Sequence, residues 1–390
     1  MISVQKAREL VLENHLTIKG LKEVELNAAL YETLAKDIIS EYNHPFFNQS
    51  AVDGYAFKFA DIQKELKVVT EIAAGGFVSP QLKENECYRI FTGAPVPADA
   101  DTVVMQEKVD FSNGKISIND KRLKIGGNIR LVGEQIKSGQ VALEKGVRLT
   151  PAAIGYLASI GIPKVPVFNL KPISVLVSGN EFANNKADFS GGKIFESNGV
   201  MLANYLKELN IKSGVSNVLD TLEESIKAIK FAEKQSDIII VTGGVSVGDY
   251  DFTRRALQEN DYEIVFHKVA QKPGKPMLFA RKDGKFVFGL PGNPKAVLMC
   301  YLLYVKPFLQ KSLGVKEDLI LDLPLGHDVS IKGGRSLLEP VNISNSVVYI
   351  EKDKGSHMLC AAALTKNVGL FNAEVKTEFK KGDLIPVMIG

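Results

Sequence analysis

Cysteine is scarce in this chain. The three present, Cys87, Cys300 and Cys360, lie far apart and form no C-x-x-C, which argues against a disulfide framework or a zinc knuckle and fits a reducing compartment. Charge of one sign is also lacking. A net charge of +3 over 390 residues does not suit a dedicated nucleic-acid binder, although it leaves room for a local anion site. No run approaches the roughly 18 to 20 apolar residues needed to span a bilayer. The N-terminal "MISVQKARELVLENHL" mixes charges through its apolar positions, unlike a signal peptide. The expectation is a soluble, cytoplasmic protein with no nucleic-acid or membrane partner. The five histidines show no H-x-x-x-H or H-E-x-x-H spacing. No G-x-S-x-G elbow, P-loop or G-x-G-x-x-G occurs, and neither do internal repeats or low-complexity segments, so serine hydrolases and common nucleotide fingerprints are poorly supported.

What is present is a multidomain grammar, as the length requires. Leu26, Leu30, Leu34 and Ile38 recur at i+4, which predicts an amphipathic helix. Between about 65 and 145, "KVVTEIA", "CYRIF", "DTVVM" and "KISIND" read as short strands parted by turn residues. "TPAAIGYLASIGI" is helical again, with Pro151 at a first helical position. From 171 apolar strands ending in glycine alternate with helices, the pattern of a parallel sheet covered on both faces. After about 315 the pattern returns to strands. The expected fold is therefore α/β and multidomain.

In such sheets a ligand sits beyond the carboxyl ends of the strands. Three polar, Gly-rich turns follow strands: Ser178–Glu181, Thr242–Asp251 and Gly289–Pro294. "TGGVSVGDYD" sets bare backbone beside Asp249 and Asp251. Exposed amides suit an anion, and carboxylates beside an anion imply a divalent cation between them. The blander reading is a tight strand–helix turn with capping acids. "KVAQKPGKPM" carries Lys268, Lys272 and Lys275 within eight residues, stiffened by Pro273 and Pro276. A fixed backbone lowers the entropy cost of aiming lysines at an anion, whereas a solvated loop is the ordinary fate of a lysine run. "GLPGNP" and "SAVDGYA" can each be explained as structural turns.

Taken together, "SAVDGYAF", "RIFTGAPVPADADTVV", "GGNIRLVGE", "VLVSGNE", "ESNGVML", "IIIVTGGVSVGDYDFT", "KVAQKPGKPM", "GLPGNP" and "GSHML" resemble the MoeA-type molybdopterin molybdenumtransferases, related to the E domain of gephyrin. The resemblance implies an αβα three-layer molybdopterin-binding domain (171–314), a split helical linker domain (1–42 and 140–170), an inserted β-rich domain (43–139) and a C-terminal β-barrel (315–390). It implies a homodimer whose site joins the αβα domain of one subunit to the β-rich domain of the other. The implied reaction inserts molybdenum from molybdate into adenylylated molybdopterin, with Mg2+-dependent release of AMP, to give molybdenum cofactor. Molybdopterin adenylyltransferase and apo-molybdoenzymes are the further partners it suggests.

By the resemblance, Asp249 and Asp251 hold the metal, with Asp251 the best match to the family's acid. Asp220 and Glu181 are acidic companions, and Asp53 and Thr92 reach the partner's site. Gly243, Gly244 and Ser246 offer backbone to the substrate. Lys268, Lys272, Lys275, Arg335 and Ser356 bind anion, and Pro291 and Pro294 shape the site. Three positions depart from the family pattern: Asn180 in place of aspartate, Gln135 in "GEQ", and Lys295 after "GNP". A pterin-binding scaffold and the adenylyltransferase step are the competing readings. The lack of a fused partner domain disfavours the first, and the extra β domains with "KPGKP" disfavour the second.

Overall fold

The structure is a computed structural model describing residues 1–76, 79, 81–183, 192–244, 252–316, 318–331, 334–351, 359–373 and 375–389. Its centre is a six-stranded sheet in the order Ser213–Val218, Ile173–Ser178, Ile238–Thr242, Lys285–Leu290, Leu278–Lys282, Glu263–His267. The first four strands are mutually parallel, and Leu278–Lys282 runs against its neighbours. The inner strands bury alternate residues on opposite faces. Val175, Val177, Ile240 and Phe288 enter one apolar cluster, while Leu176, Ile239, Val241 and Val287 enter another. Sheets covered on both sides need such continuous apolar strands.

Asn198–Glu208, Leu222–Gln235 and Phe252–Glu259 are the flanking helices, together with a continuous, largely buried helical stretch over Pro294–Ser312. Pro307 lies inside that stretch, where it removes a donor and crowds the carbonyl four residues back. The turn over Tyr301–Val305 is widened to π geometry, a way to admit such a residue without ending the helix. No helix among the described residues is long and apolar enough to cross a membrane.

The helix predicted over Leu26–Ile38 is absent. Only Leu26–Ala28 forms a 3-10 turn, and Ile38–Ile39 pairs as a strand with Val141–Leu143. The N–H groups of Tyr31, Leu34 and Ala35 donate instead to the carbonyls of Leu149, Val147 and Pro166. Leu26, Leu34 and Ile38 are buried but Leu30 is half-exposed. The apolar spacing thus reflects contacts with residues 136–167, which share one core with it, and not a helical face. Strand Leu21–Glu25 likewise pairs with Lys164–Phe168. The first helix, Val4–Glu13, capped by the Ser3 hydroxyl, buries Val4, Ala7 and Val11 in the core of the central sheet, apart from the 26–38 segment.

Between these flanks lies a second six-stranded sheet, ordered Thr102–Met105, Gly54–Phe57, Glu86–Ile90, Leu66–Ile72, Lys115–Ile118, Val109–Ser112. The strand-like runs read between 65 and 118 all form its strands. The C-terminal strands include Ile320–Pro324, Ser336–Ser344, Val368–Phe371 and Leu384–Met388. Gln271–Lys272 joins them by parallel pairing to Ser336–Leu337, which ties the lysine-bearing loop to the C-terminal unit.

Candidate active site

The four parallel strands end together at Ser178, Val218, Thr242 and Leu290. The loops that leave them, and the helices that start at Asn198, Leu222, Phe252 and Pro294, meet at this edge. Four helix N-termini there direct positive dipole ends to one place, a field suited to a polyanion. Sequence sets two of these starts. Thr221 caps its helix by accepting from Glu224 N–H, and Asn293 caps the next by accepting from Ala296 N–H at 3.2 Å with Pro294 following.

Close backbone approach explains the glycines. Gly243 has φ +80°, and a β-carbon there would overlap the Ser178 carbonyl oxygen. Gly244, at φ +60°, faces Ser178 Oγ, Thr253 Oγ1 and Asp220 Oδ1, all within 3.4 Å of where its β-carbon would stand. Only glycine adopts this conformation without strain and adds no side chain over the backbone there. The Ser178 hydroxyl donates to Asp220 Oδ1 at 3.0 Å, and Asp220 N–H donates to Asn180 Oδ1 at 3.2 Å. Asn180 therefore orients Asp220 through an amide oxygen. The Glu181 carboxylate folds back over Gly179. Asn198 crosses the floor, donating to Thr242 Oγ1 and to the Gly292 carbonyl at 2.8 Å, while Thr242 donates to the Pro291 carbonyl. Pro291 and Pro294 thus flank the point where the "GLPGNP" turn meets the "TGG" turn.

The lysine loop is braced from below. Gln271, fully buried, donates to the Pro273 carbonyl at 3.1 Å and to Cys300 Sγ at 3.4 Å, and it accepts from the Tyr304 hydroxyl. Gly274, at φ +95°, packs so closely that a β-carbon would lie 2.5 Å from Gln271 Nε2. Burial pushes the Cys300 thiol up to about 12, so it serves as packing, not as a nucleophile. Above this brace Lys272 is exposed and Lys275 half-buried. Lys268, at φ +72°, bonds through its backbone to Met277 and Ile2 at the foot of the loop. Ser336 N–H donates to the Ala270 carbonyl, which sets Arg335 beside the loop. Lys295 is buried in a 2.7 Å ion pair with Glu339 of the C-terminal unit, so this departure has an interdomain role.

Asp53 and Thr92 form a separate pair in the inserted sheet. Asp53 Oδ1 accepts from both the N–H and the hydroxyl of Thr92 at 2.8 Å. The Thr92 N–H, then its hydroxyl, with the charge of Arg89 added, hold the Asp53 carboxyl below its ordinary range. Arg89 is itself fixed between the Tyr55 and Phe91 rings, 4.9 Å from each, and donates to the Gly54 carbonyl. These bonds join Asp53 and Thr92 to each other and not to the loops of the central sheet. Asp249, Asp251, Ser246 and Ser356 lie outside the described residues. Among the described residues no group of three or more His, Cys, Asp or Glu gathers as a metal cluster.

The sequence reading missed Ser178 as a partner of Asp220, and also Asn198, Arg89 and Gln271. Ser178 and Asn198 were legible only as members of "VLVSGNE" and "ESNGVML". Gln271 gave no signal, because a polar residue beside lysines looks solvated until the fold buries it. Asp99 and Asp101 are structural, accepting from Leu82 N–H and Phe59 N–H at 2.7 Å. The Gln135 side chain has no described bond to this edge; its N–H bonds to the His44 carbonyl.

Comparison with known proteins decides what this arrangement belongs to. Residues 2–161 match the family model described as MoeA N-terminal region (domain I and II), and residues 174–311 match that described as probable molybdopterin binding domain. A molybdopterin molybdenumtransferase of Staphylococcus epidermidis is 38% identical over 323 residues, covering 81% of this chain and 77% of the relative. The chain belongs to the MoeA family of molybdopterin molybdenumtransferases. It is a transferase of molybdenum cofactor biosynthesis. A Haemophilus influenzae member is 35% identical over 321 residues, 81% of this chain and 79% of its own length. The crystal structure of a molybdopterin biosynthesis moeA protein from Pyrococcus horikoshii OT3 superposes over 100% of both chains, with a TM-score of 0.87 and 26% identity. The MoeA architecture thus accounts for the whole described fold, including the inserted sheet and the C-terminal strands.

Proposed function

We propose that this transferase takes adenylylated molybdopterin and molybdate, hydrolyses the adenylyl–pterin anhydride, and transfers molybdenum to the pterin dithiolene as AMP leaves. The observation that carries the reading is the convergence of four strand-end loops, with Gly243 and Gly244 presenting backbone amides uncovered by any side chain of their own beside the Ser178–Asp220 pair. Such amides and helix N-termini bind the phosphoryl oxygens of the anhydride. Lys272, Lys275 and Arg335 gather positive charge for the molybdate dianion, and the buried Gln271 bracket fixes the loop from which the lysines project.

The donor set at the edge is hard oxygen: the carboxylates of Asp220 and Glu181 with the oxygens of Ser178 and Asn180. That chemistry fits magnesium. Asp220 and Glu181, with Asp249 and Asp251 from the neighbouring loop, would hold it. Bound there, magnesium supplies Lewis-acid neutralisation of phosphoryl charge. Asp53, held ionised through Oδ1, keeps its other oxygen available to accept a hydrogen from substrate or water. In this reading it acts in the other subunit of a cytoplasmic homodimer. We also propose functional boundaries near 42, 139, 170 and 314, with the helix at 4–13 packed on the central sheet.

The test is AMP formation from adenylylated molybdopterin without ATP. Release that requires both molybdate and magnesium supports the insertase. Release that requires neither, or none at all with tight pterin binding, overturns it in favour of a carrier.

A further inference from the structure

A cleft of about 860 Å³ opens at the amino ends of strands Ile173–Ser178 and Ser213–Val218, one strand length or roughly 20 Å from the loops described above. One wall comes from Tyr31–Thr33 and Phe168–Leu170, the other from Ala203–Ser213. The seam around the cleft is closed tightly. Gly146 lies against Gly314 so closely that a β-carbon would overlap the Gly314 carbonyl oxygen. Arg148 donates across the seam to the Glu208 carbonyl and rests 4.7 Å over the Tyr31 ring. The opening is therefore bounded by fixed contacts and is not slack between loosely joined units.

Its lining combines an apolar floor, including Leu209, Ile211 and Leu313, with lysines at the rim. Lys22 and Lys171 are neutralised by Glu32 at 2.8 Å and Asp237 at 2.9 Å. Lys207 and Lys212 have no acidic partner among the described residues. Tyr31, whose left-handed backbone (φ +62°) is held by its N–H bond to the Leu149 carbonyl, is 44% exposed as a residue at the wall. A ring-sized apolar floor with two uncompensated ammonium groups has the makeup of a small-molecule site.

We propose that this cleft binds a ring-bearing phosphate monoester of nucleoside monophosphate size, its ring on the Tyr31 side and its dianion between Lys207 and Lys212. The site is distinct from the catalytic edge and does not depend on the reaction assigned to that edge.

The sequence contains no tryptophan, so Tyr31→Trp places a single indole on the cleft wall. Titrating that variant with AMP should give a saturable fluorescence change that weakens with salt. Adenosine, which leaves the lysines unused, and inorganic phosphate, which leaves the floor unused, should each bind about tenfold more weakly or worse. Adding Lys207→Ala and Lys212→Ala should remove the response, whereas Lys272→Ala should not. Calorimetry on the unaltered chain against the Lys207→Ala/Lys212→Ala variant repeats the test without the reporter. No saturable response to AMP, or a response that survives loss of both lysines, overturns the proposal. Equal binding of inorganic phosphate would also overturn it, reducing the site to a plain anion patch.

Discussion

Replacing Gln271 with leucine isolates the brace beneath the lysine loop. The change keeps side-chain volume but removes every polar atom. It leaves the buried Tyr304 hydroxyl without its acceptor and the Pro273 carbonyl without its donor. Each orphaned group costs about 1–3 kcal/mol, offset by about 1 kcal/mol from the added apolar burial. The net loss should be about 1–5 kcal/mol in the denaturant-induced transition of the central domain. Tyr304→Phe alone should cost about 1–2 kcal/mol, because it strands Gln271 Oε1. In the Gln271→Leu background the same change should be neutral or stabilising, since it removes a hydroxyl already stranded. The double-mutant cycle should therefore show coupling of about 1.5–3 kcal/mol. Steady-state AMP release should report a raised KM for molybdate, because loosened lysines bind the dianion less well. Additivity within about 0.5 kcal/mol, with molybdate KM unchanged, would refute the idea that this bracket aims Lys272 and Lys275.

Asp220→Asn keeps the Ser178 contact but removes a charge, and should lower magnesium affinity by about 10–100-fold, measured from the magnesium dependence of AMP release. Thr92→Val removes one of the two bonds that hold Asp53 ionised, so the Asp53 pKa should rise towards its ordinary value, read by carboxylate NMR titration. The sign follows from the depressed folded value. The Thr92 contribution is present above the unfolded pKa and is lost as pH falls through the lower folded one, so the variant loses it at higher pH. Lys295→Met leaves Glu339, 21% exposed, without its partner. It should destabilise by about 3–5 kcal/mol, and Glu339→Leu added to it should recover much of that in thermal unfolding.

Continuous apolar runs followed by glycine made Ile173–Ser178, Ile238–Thr242 and Lys285–Leu290 legible, because these strands are buried on both faces, whereas the mostly exposed edge strand Ser213–Val218 carries no such run. The edge where the ligand is read to bind was legible for the same reason, since glycine and polar residues cluster where those runs stop. The segment from Leu26 to Ile38 misled because its buried leucines face a core built by residues more than a hundred positions away, and i+4 spacing arose without a helix. Gln271 and Arg89 were invisible for a related reason. Gln271 stands beside Lys272 and Pro273, and Arg89 is a charged residue within the strand Glu86–Ile90, so only the fold places Tyr304 against one and Tyr55 against the other. Lys295 looked like a mere departure until Glu339 was brought against it by the C-terminal strands.

The most direct test of the central claim is AMP release by the purified protein from adenylylated molybdopterin with molybdate and magnesium present and ATP absent. The account predicts release that stops when either molybdate or magnesium is withheld and that falls sharply in Asp220→Asn. Tight pterin binding without AMP release, or release indifferent to molybdate, would contradict it.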